Sequence, residues 1–383
     1  VNGNLKYKGE TLSQSRKQAP SGEPRILFGD EIPAAALDSF YEEVFPARTG
    51  LLNRSRQWLY RTYDGTSARA PVAAMLDGRV VGHLSFIPVR LRRGNEEREA
   101  AWACDLVVLP ECRGRRLGQK LFNAMTPMRP LWMGFPNPLS GKVLDNLGWK
   151  SQSDTIGLSL VLRPERHPKV RKGKAYGANH AVYALAAAAG LATRAISYAC
   201  ARPWKRLTAS PVTMKSLAPF VDEEIRGLHV RRSAEYLGWR LLDHPRAEEH
   251  VILSSPGAGP ERPSAVARVV ESKGYRRLHL LSLRAVATDG AGRSGLHGFF
   301  AGTLRWALDA DVHMISLVTS EPAVADVARW WLPVTQKVRY SYHASDPEGM
   351  AFLGGSDHHW EYLDNDFDLI YVSDDASARG RAA

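Results

Sequence analysis

Arg113, Arg115 and Arg116 crowd into one short stretch with Gly114 and Gly118, immediately after the apolar run Leu106-Val-Val-Leu109 stops at Pro110. Leu117, Leu121, Phe122 and Met125 follow at the spacing of one helix face. A strand that opens through a glycine-bearing turn onto a helix N-terminus presents bare N–H groups at the positive end of the helix dipole. Such a turn is a seat for phosphate or pyrophosphate. The three guanidinium groups add charge-assisted donors around the same point. The bland alternative is a basic, solvated loop that caps a helix. Cys112 lies in this turn and reads as a small buried thiol rather than a nucleophile.

The flanking segments supply elements that could hold the turn in place. Pro71-Val-Ala-Ala-Met-Leu76, the turn Asp77-Gly78 and Val80-Val-Gly-His-Leu-Ser-Phe86 read as a hairpin. A further strand runs from about Glu96 to Leu109. Beyond the basic turn, Leu131-Trp-Met-Gly-Phe135 is a short apolar strand broken by Pro136-Asn137-Pro138. A helix with Val143, Leu144 and Leu147 follows, then Gly148-Trp149 and a closing strand from Ile156 to Leu162.

The stretch from Val108 to Gly118, taken with these neighbours, resembles the acyl-CoA-binding motif of the GCN5-related N-acetyltransferase (GNAT) superfamily over about residues 28–163. The resemblance implies that Val108, Leu109, Arg113, Gly114, Arg115, Arg116, Leu117 and Gly118 bind the cofactor. Arg116 stands where the first motif glycine usually sits; the turn can still form if Arg116 keeps ordinary backbone angles, with its side chain left to crowd or clamp the cofactor. Asn137 and Ser140 resemble the second cofactor segment, although a helix N-cap is an equal reading of Asn137. Where many members carry a tyrosine acid, this chain has Leu144. The family arrangement also implies a splayed motif strand, with a backbone N–H near Leu109 polarising the thioester carbonyl. Asp105 is the candidate general base and His83 its alternative; both also have structural readings, as a strand-entry carboxylate and a half-buried histidine.

The chain has 383 residues, about twice one such module, so two domains are expected. Tyr60-Arg61-Thr-Tyr-Asp64 matches Trp239-Arg240-Leu-Leu-Asp243 at one offset, which also carries Val72 to Val251 and Leu117 to Leu296. The expected fold class is α/β (α+β): two GNAT-like domains, each a mixed, mostly antiparallel twisted sheet flanked by helices. The expected boundaries are an N-terminal arm over 1–24, a domain with the acyl-CoA site over 25–165, a basic linker and Ala-rich helix over 166–206, and a degenerate second domain over 207–383. In the second domain, Thr288-Asp-Gly290-Ala-Gly292-Arg293-Ser-Gly295 reads as a degenerate cofactor loop or plain surface loop. The Ala-rich segment, about Asn179 to Ala201, reads as a bridging helix packed on one or both domains. A membrane-surface helix is the lesser alternative.

A formal net charge of +11 favours anionic ligands, while the scattered basic residues disfavour nucleic acid. Three cysteines without a pairing pattern point to a cytoplasmic location, and the polar start Val1-Asn-Gly-Asn is not read as a secretory signal. No His/Cys spacing suggests a metal. The cofactor expectation is therefore acetyl-CoA or another acyl-CoA as co-substrate, with no metal. The expected activity is acyl-CoA-dependent N-acyl transfer to a small or nucleotide-linked amino-sugar amine. Alternatives are a Fem-like aminoacyl transferase using aminoacyl-tRNA and a non-catalytic acyl-CoA-binding module. Candidate acceptor contacts are Trp102, Phe135, Trp239, Asp364 and Asp366. Oligomeric state is left open.

Overall fold

The computed structural model describes residues 22–46, 58–59, 70–175, 180–221, 225–256, 262–284, 290–355 and 357–364. Its strands are β1 (Arg25–Phe28), β2 (Val72–Leu76), β3 (Arg79–Arg93), β4 (Glu96–Val108), β5 (Leu131–Gly134), β6 (Lys150–Val161), β7 (Thr208–Pro211), β8 (Leu228–Val230), β9 (His250–Ser254), β10 (Ser264–Ser272), β11 (Tyr275–Arg284), β12 (Met314–Thr319) and β13 (Val334–Ala344). The helices are α1 (Ala34–Val44), α2 (Leu117–Met125), α3 (Pro138–Asn146), α4 (Pro168–Ala175), α5 (His180–Ala201), α6 (Met214–Leu217), α7 (Ala234–Leu237), α8 (Gly290–Asp309), α9 (Pro322–Trp331) and α10 (Pro347–Leu353). This is a mixed α/β, GNAT-like fold.

The chain divides into two compact units. One comprises Val1–Gln152 with Arg339–Ser356, the other Ser153–Val338 with Asp357–Ala383. These bounds differ from the expected break at residues 165 and 166, because the closing strands are exchanged between halves. β6, expected to close the first sheet, pairs antiparallel with β12 from Ile156–Thr319 to Val161–Met314. In return, β13 from the second half pairs antiparallel with β5, from Ser341–Gly134 to Ala344–Leu131. Alternation of apolar and polar residues defines a strand but carries no information on which sheet accepts it.

In the first unit the strand order is β1-β2-β3-β4-β5-β13. Asp77 and Gly78 both take positive φ, 50° and 74°, which turns β2 into β3 with the right-handed twist that a two-residue hairpin needs. α2 buries Leu117, Leu121, Phe122 and Met125 against β2 and β3, in a core that includes Phe40, Tyr41, Val72, Leu84, Phe86 and Trp132. Each such aliphatic or aromatic side chain contributes about 1.5–3 kcal/mol on burial, so the helix start beside the basic turn is firmly anchored.

In the second unit the order is β6-β12-β11-β10-β9-β7. One face of this sheet packs Leu278, Leu280, Ile315 and Leu317 against Phe299, Phe300 and Leu304 of α8 and Val324 and Val327 of α9. The glycine-rich stretch from Gly290 to Gly295 forms the opening turns of α8 instead of a loop, a correction to the sequence reading; Thr288 and Asp289 lie outside the described residues. Closely spaced glycines weaken a helix without forbidding it, and α8 is held by its apolar face further along.

Candidate active site

The site is built where β4 leaves β5. β4 runs parallel to β5 only at Ala100, Ala101 and Trp102, opposite Leu131, Trp132 and Met133. From there to Val108 it stays paired with β3 alone, and a register shift falls between His83 and Ser85. Asp105 and Leu106 thereby stand opposite the single residue Leu84, a β-bulge, with Asp105 at φ 51°. Aspartate tolerates this left-handed backbone better than most residues. Bulge and divergence together open the edge of β4 that faces β5.

Backbone alternation decides which groups face that opening. Leu109 N–H donates to Val81 O at 2.9 Å, so the polarising N–H expected near Leu109 is not that of Leu109 itself. Val107 lies opposite His83 and Val108 opposite Gly82. In an antiparallel pair the donors alternate in direction, so the Val108 N–H points away from β3 and into the gap. The Val108 carbonyl, on the same edge, accepts from Arg113 Nε at 3.3 Å, a long contact on an exposed side chain.

The turn after β4 takes its shape from Gly114 at φ 85° and Arg116 at φ 56°, ψ 25°. Arg116 does not keep ordinary backbone angles: the residue in the glycine position adopts the glycine conformation. Arg116 N-caps α2 without a side-chain bond of its own, and the first intrahelical bond is Lys120 N–H to Arg116 O at 3.1 Å. The N–H groups of Leu117, Gly118 and Gln119 therefore lie ahead of the helical ladder. A Cβ on Gly118 would meet Val143 Cγ1 at 3.6 Å, ordinary contact, so this glycine brings α2 close to α3.

The three arginines separate. Arg113 and Arg116 are exposed beside the turn. Arg115 Nη2 donates to the Gly22 carbonyl, and Lys120 Nζ reaches Glu23 Oε1 at 2.7 Å. One flank of the turn thus holds the segment leading into β1. Burial pushes the Cys112 thiol up, in keeping with a packing role.

His83 is committed to structure. Its Nδ1 meets Asp105 O at 3.1 Å and its Nε2 meets Tyr41 Oη at 3.0 Å. A carbonyl only accepts, so Nδ1 carries the proton and Nε2 accepts from the tyrosine. The ring also stacks on Phe40 at 5.7 Å. A buried imidazole spent at both nitrogens does not collect a proton from a substrate; it pins the carbonyl of the bulge residue. His83 as base is a correction, and Tyr41 is a residue that no sequence motif indicated.

Asn137 is the N-cap of α3: its Oδ1 accepts from Leu139 N at 2.9 Å and Ser140 N at 3.0 Å. Ser140 Oγ donates to Asn137 O at 3.2 Å. The capping reading is therefore realised, and only the Asn137 amide nitrogen remains for a ligand. Leu144 is buried in the core of the first unit.

Trp102 and Phe135 come together, stacked at 5.1 Å with planes 15° apart, where β4 and β5 part. Tyr340 of β13 lies 6.1 Å from Trp102 and 6.0 Å from Phe135 by ring centroids. Arg339, beside it, donates to Asp145 and to Ser151 Oγ at 2.7 Å; a Cβ on Gly141 would approach its Nη1 to 3.0 Å. Sequence reading missed both residues because they arrive on the exchanged strand.

The acceptor contacts expected in the second unit are not laid out as a ligand site. Trp239 is buried beside Tyr236, 5.9 Å away. Asp364 is buried and takes both carboxylate oxygens to Arg232 Nη2 at 3.2 Å, with Glu361 N–H donating to Oδ2 at 2.8 Å. Glu361 Oε2 meets the same guanidinium at 2.7 Å. Burial pushes the Asp364 carboxyl up, against the pull of Arg232. Burial also works against ionised Glu361, but Arg232, His359 and the Leu283 N–H outweigh it and hold the carboxyl at about 2. Asp364 is thus part of an internal ion cluster and is not laid out as the acceptor contact expected from the sequence. Asp366 lies outside the described residues. Among the described residues no group of His, Cys, Asp or Glu could hold a metal ion.

Residues 37–127 match the family profile described as Acetyltransferase (GNAT) family. That stretch of the first unit is thus similar to GNAT acetyltransferases. Among solved structures, the chain is similar to a GCN5-related N-acetyltransferase from Kribbella flavida, with 13% identity and a TM-score of 0.50 over 85% of this chain and 73% of that one. It is also similar to a protein of Enterococcus faecalis V583 described as a probable N-acyltransferase, with 11% identity and a TM-score of 0.51 over 86% of this chain and 74% of that one. At these identities the likeness is one of fold. No curated protein matches the chain. The GNAT profile spans α1 to α2 and so contains the bulge, the divergence of β4 and the turn at Arg116.

Proposed function

We propose that the first unit transfers an acyl group from acyl-CoA to a primary amine. The observation that carries this reading is the alignment of two openings on one strand: the β4 edge beyond Trp102, and the uncapped first turn of α2 that follows it. The N–H groups of Leu117, Gly118 and Gln119, with Arg113 and Arg116 beside them, suit a pyrophosphate. The Val108 N–H, aimed into the gap, suits the carbonyl oxygen of a thioester as negative charge gathers there.

Bound acyl-CoA supplies the activated acyl group. The chain's own residues orient it, polarise its carbonyl through Val108 and take the proton from the attacking amine. We assign that last task to Asp105, directly or through one water, because it sits on the bulge of the opened edge. Leu144 offers no proton to the departing thiolate. A thiol with an ordinary pKa of about 8.5 is a fair leaving group without one. Phe135, half-buried over Trp102, offers a ring surface beside the gap, which favours an acceptor amine carried on a sugar ring.

The second unit we read as a repeat of the same fold without the cofactor seat. Its parallel step β11–β12 corresponds to β4–β5, and α8 to α2. Cys104, Cys112 and Cys200 are all free thiols, which supports a reducing, cytoplasmic setting. The test is thiol release from acetyl-CoA with a panel of amines and amino sugars. Asp105→Asn should lower kcat/KM about 10²–10⁴-fold at neutral pH while acetyl-CoA affinity stays within about twofold. Binding of acetyl-CoA with no thiol release for any amine would leave a ligand-binding module in place of an enzyme.

A further inference from the structure

α5 is 22 residues long and apolar enough to cross a membrane by length and composition, yet it does not stand clear of the protein. One face is seated on its own unit. Gly190 is required there, since a Cβ would come within 2.5 Å of Glu165 Oε2 and 3.0 Å of Pro164 Cδ. Arg194 Nη1 donates to Leu162 O at 3.0 Å and to Glu165 Oε1 at 3.2 Å. Ser197 and Ala201 continue the buried stripe, and α8 packs alongside. A helix fixed in this way lies along a surface and does not span a bilayer.

The other face is bare. Leu185 is 70% exposed, Leu191 63% and Ile196 64%, with Val182 and Tyr198 also exposed among alanines. From Ala181 to Cys200 the only charged residue is Arg194, and it is turned inward. At about 1.5 Å per residue this apolar strip runs roughly 30 Å. Its two ends are basic: Arg166, Lys169 and Arg171 are exposed before it, and Arg202, Lys205 and Arg206 after it. One acidic residue, Asp309, pairs with Arg206 at 3.3 Å. Trp330 on α9, which also packs on α8, is 78% exposed. An uncharged apolar face between two basic ends, with the exposed Tyr198 phenol on the same helix, has the chemistry of a surface-lying membrane helix. The basic ends match phosphates and the apolar strip matches acyl chains, so an anionic lipid surface is complementary to both at once.

We propose that α5 docks this protein onto an anionic lipid bilayer, its apolar face entering the boundary between headgroups and acyl chains. The basic ends rest on the phosphates. The inference is independent of the acyltransferase reading.

The test is co-sedimentation of the full chain with vesicles of phosphatidylcholine alone or with about one third phosphatidylglycerol. Binding should require the anionic lipid and weaken as salt rises. Leu185→Glu with Ile196→Glu should lower partition at least about a hundredfold; both side chains are exposed, so the folded unit should survive, checked by an unchanged circular dichroism melt. Cys200 is the exposed cysteine, Cys104 and Cys112 being buried. A polarity-sensitive dye on Cys200 should shift to the blue on anionic vesicles and not on neutral ones. The proposal fails if the wild type stays in the supernatant, or if the double variant pellets as well as the wild type. It also fails if the wild type is a dimer that the same substitutions split while neither form binds vesicles, because a second copy then covers the strip.

Discussion

Arg116→Gly separates the two demands placed on the basic turn. Arg116 holds φ 56° and ψ 25° at the N-cap of α2, a conformation that costs a side-chain-bearing residue about 1–2 kcal/mol. Glycine removes that cost but makes the unfolded chain looser by about 0.4–1 kcal/mol. The net gain should be about 0.5–1 kcal/mol, or a rise in Tm of roughly 1–4 °C for a unit of this size. The same substitution takes a guanidinium from the proposed pyrophosphate seat. A charge-assisted hydrogen bond is worth about 1.5–3 kcal/mol, so acetyl-CoA affinity should fall at least about tenfold. Scanning calorimetry reads the first quantity and titration calorimetry with acetyl-CoA the second. Stability up and affinity down is the expected pair. If affinity is unchanged or improves, the Arg116 side chain crowds or ignores the ligand, and the reasoning about the turn is wrong.

Arg115→Ala should leave acetyl-CoA affinity within about twofold, because its guanidinium is turned to the Gly22 carbonyl; a tenfold loss by calorimetry would return it to the seat. Arg232→Met should cost about 3–5 kcal/mol in urea denaturation, since Glu361 and Asp364 would be left buried beside each other without their cation. A loss under about 1 kcal/mol would mean the cluster is solvated in solution. Acid should weaken the second unit well before its carboxylates titrate. His279 is held neutral by burial and by Arg268, its pKa lowered from 6.5 to about 3, so between those values the unfolded chain takes up the proton first. At pH 5 that amounts to about 2 kcal/mol lost. Buried His244 and His250 are shifted in the same direction, while Asp364, raised by burial, works in the opposite sense. His279→Gln should flatten the stability slope between pH 6 and pH 4 by about 1.4 kcal/mol per pH unit, and an unaltered slope would contradict the assignment.

The turn after Pro110 and the helix that follows it were legible because their signals are local. Pro110 ends a strand, Gly114 permits a positive φ, and the spacing from Leu117 to Met125 fixes a helix face. The hairpin through Asp77 and Gly78 was legible for the same reason. The roles of His83 and Leu109 were not, because they depend on a bulge one residue wide that sets which groups face β3 and which face the gap. Asp364 looked like a ligand because a carboxylate near an aromatic-rich segment is ambiguous until its burial against Arg232 is known. The reciprocal exchange of β6 and β13 left no trace in either strand's own pattern. Arg339 and Tyr340 were therefore invisible as neighbours of α3 and Trp102.

The most direct test of the account is the number of acetyl-CoA molecules bound per chain, read by titration calorimetry on the wild type and on Gly114→Val. Gly114 sits at φ 85° with open space around its Cβ position, so valine there strains the turn without filling the groove. One molecule per wild-type chain, with affinity lost in the variant, is the predicted result. No binding to the wild type, or full binding to the variant, would show that the turn after Pro110 does not hold the coenzyme.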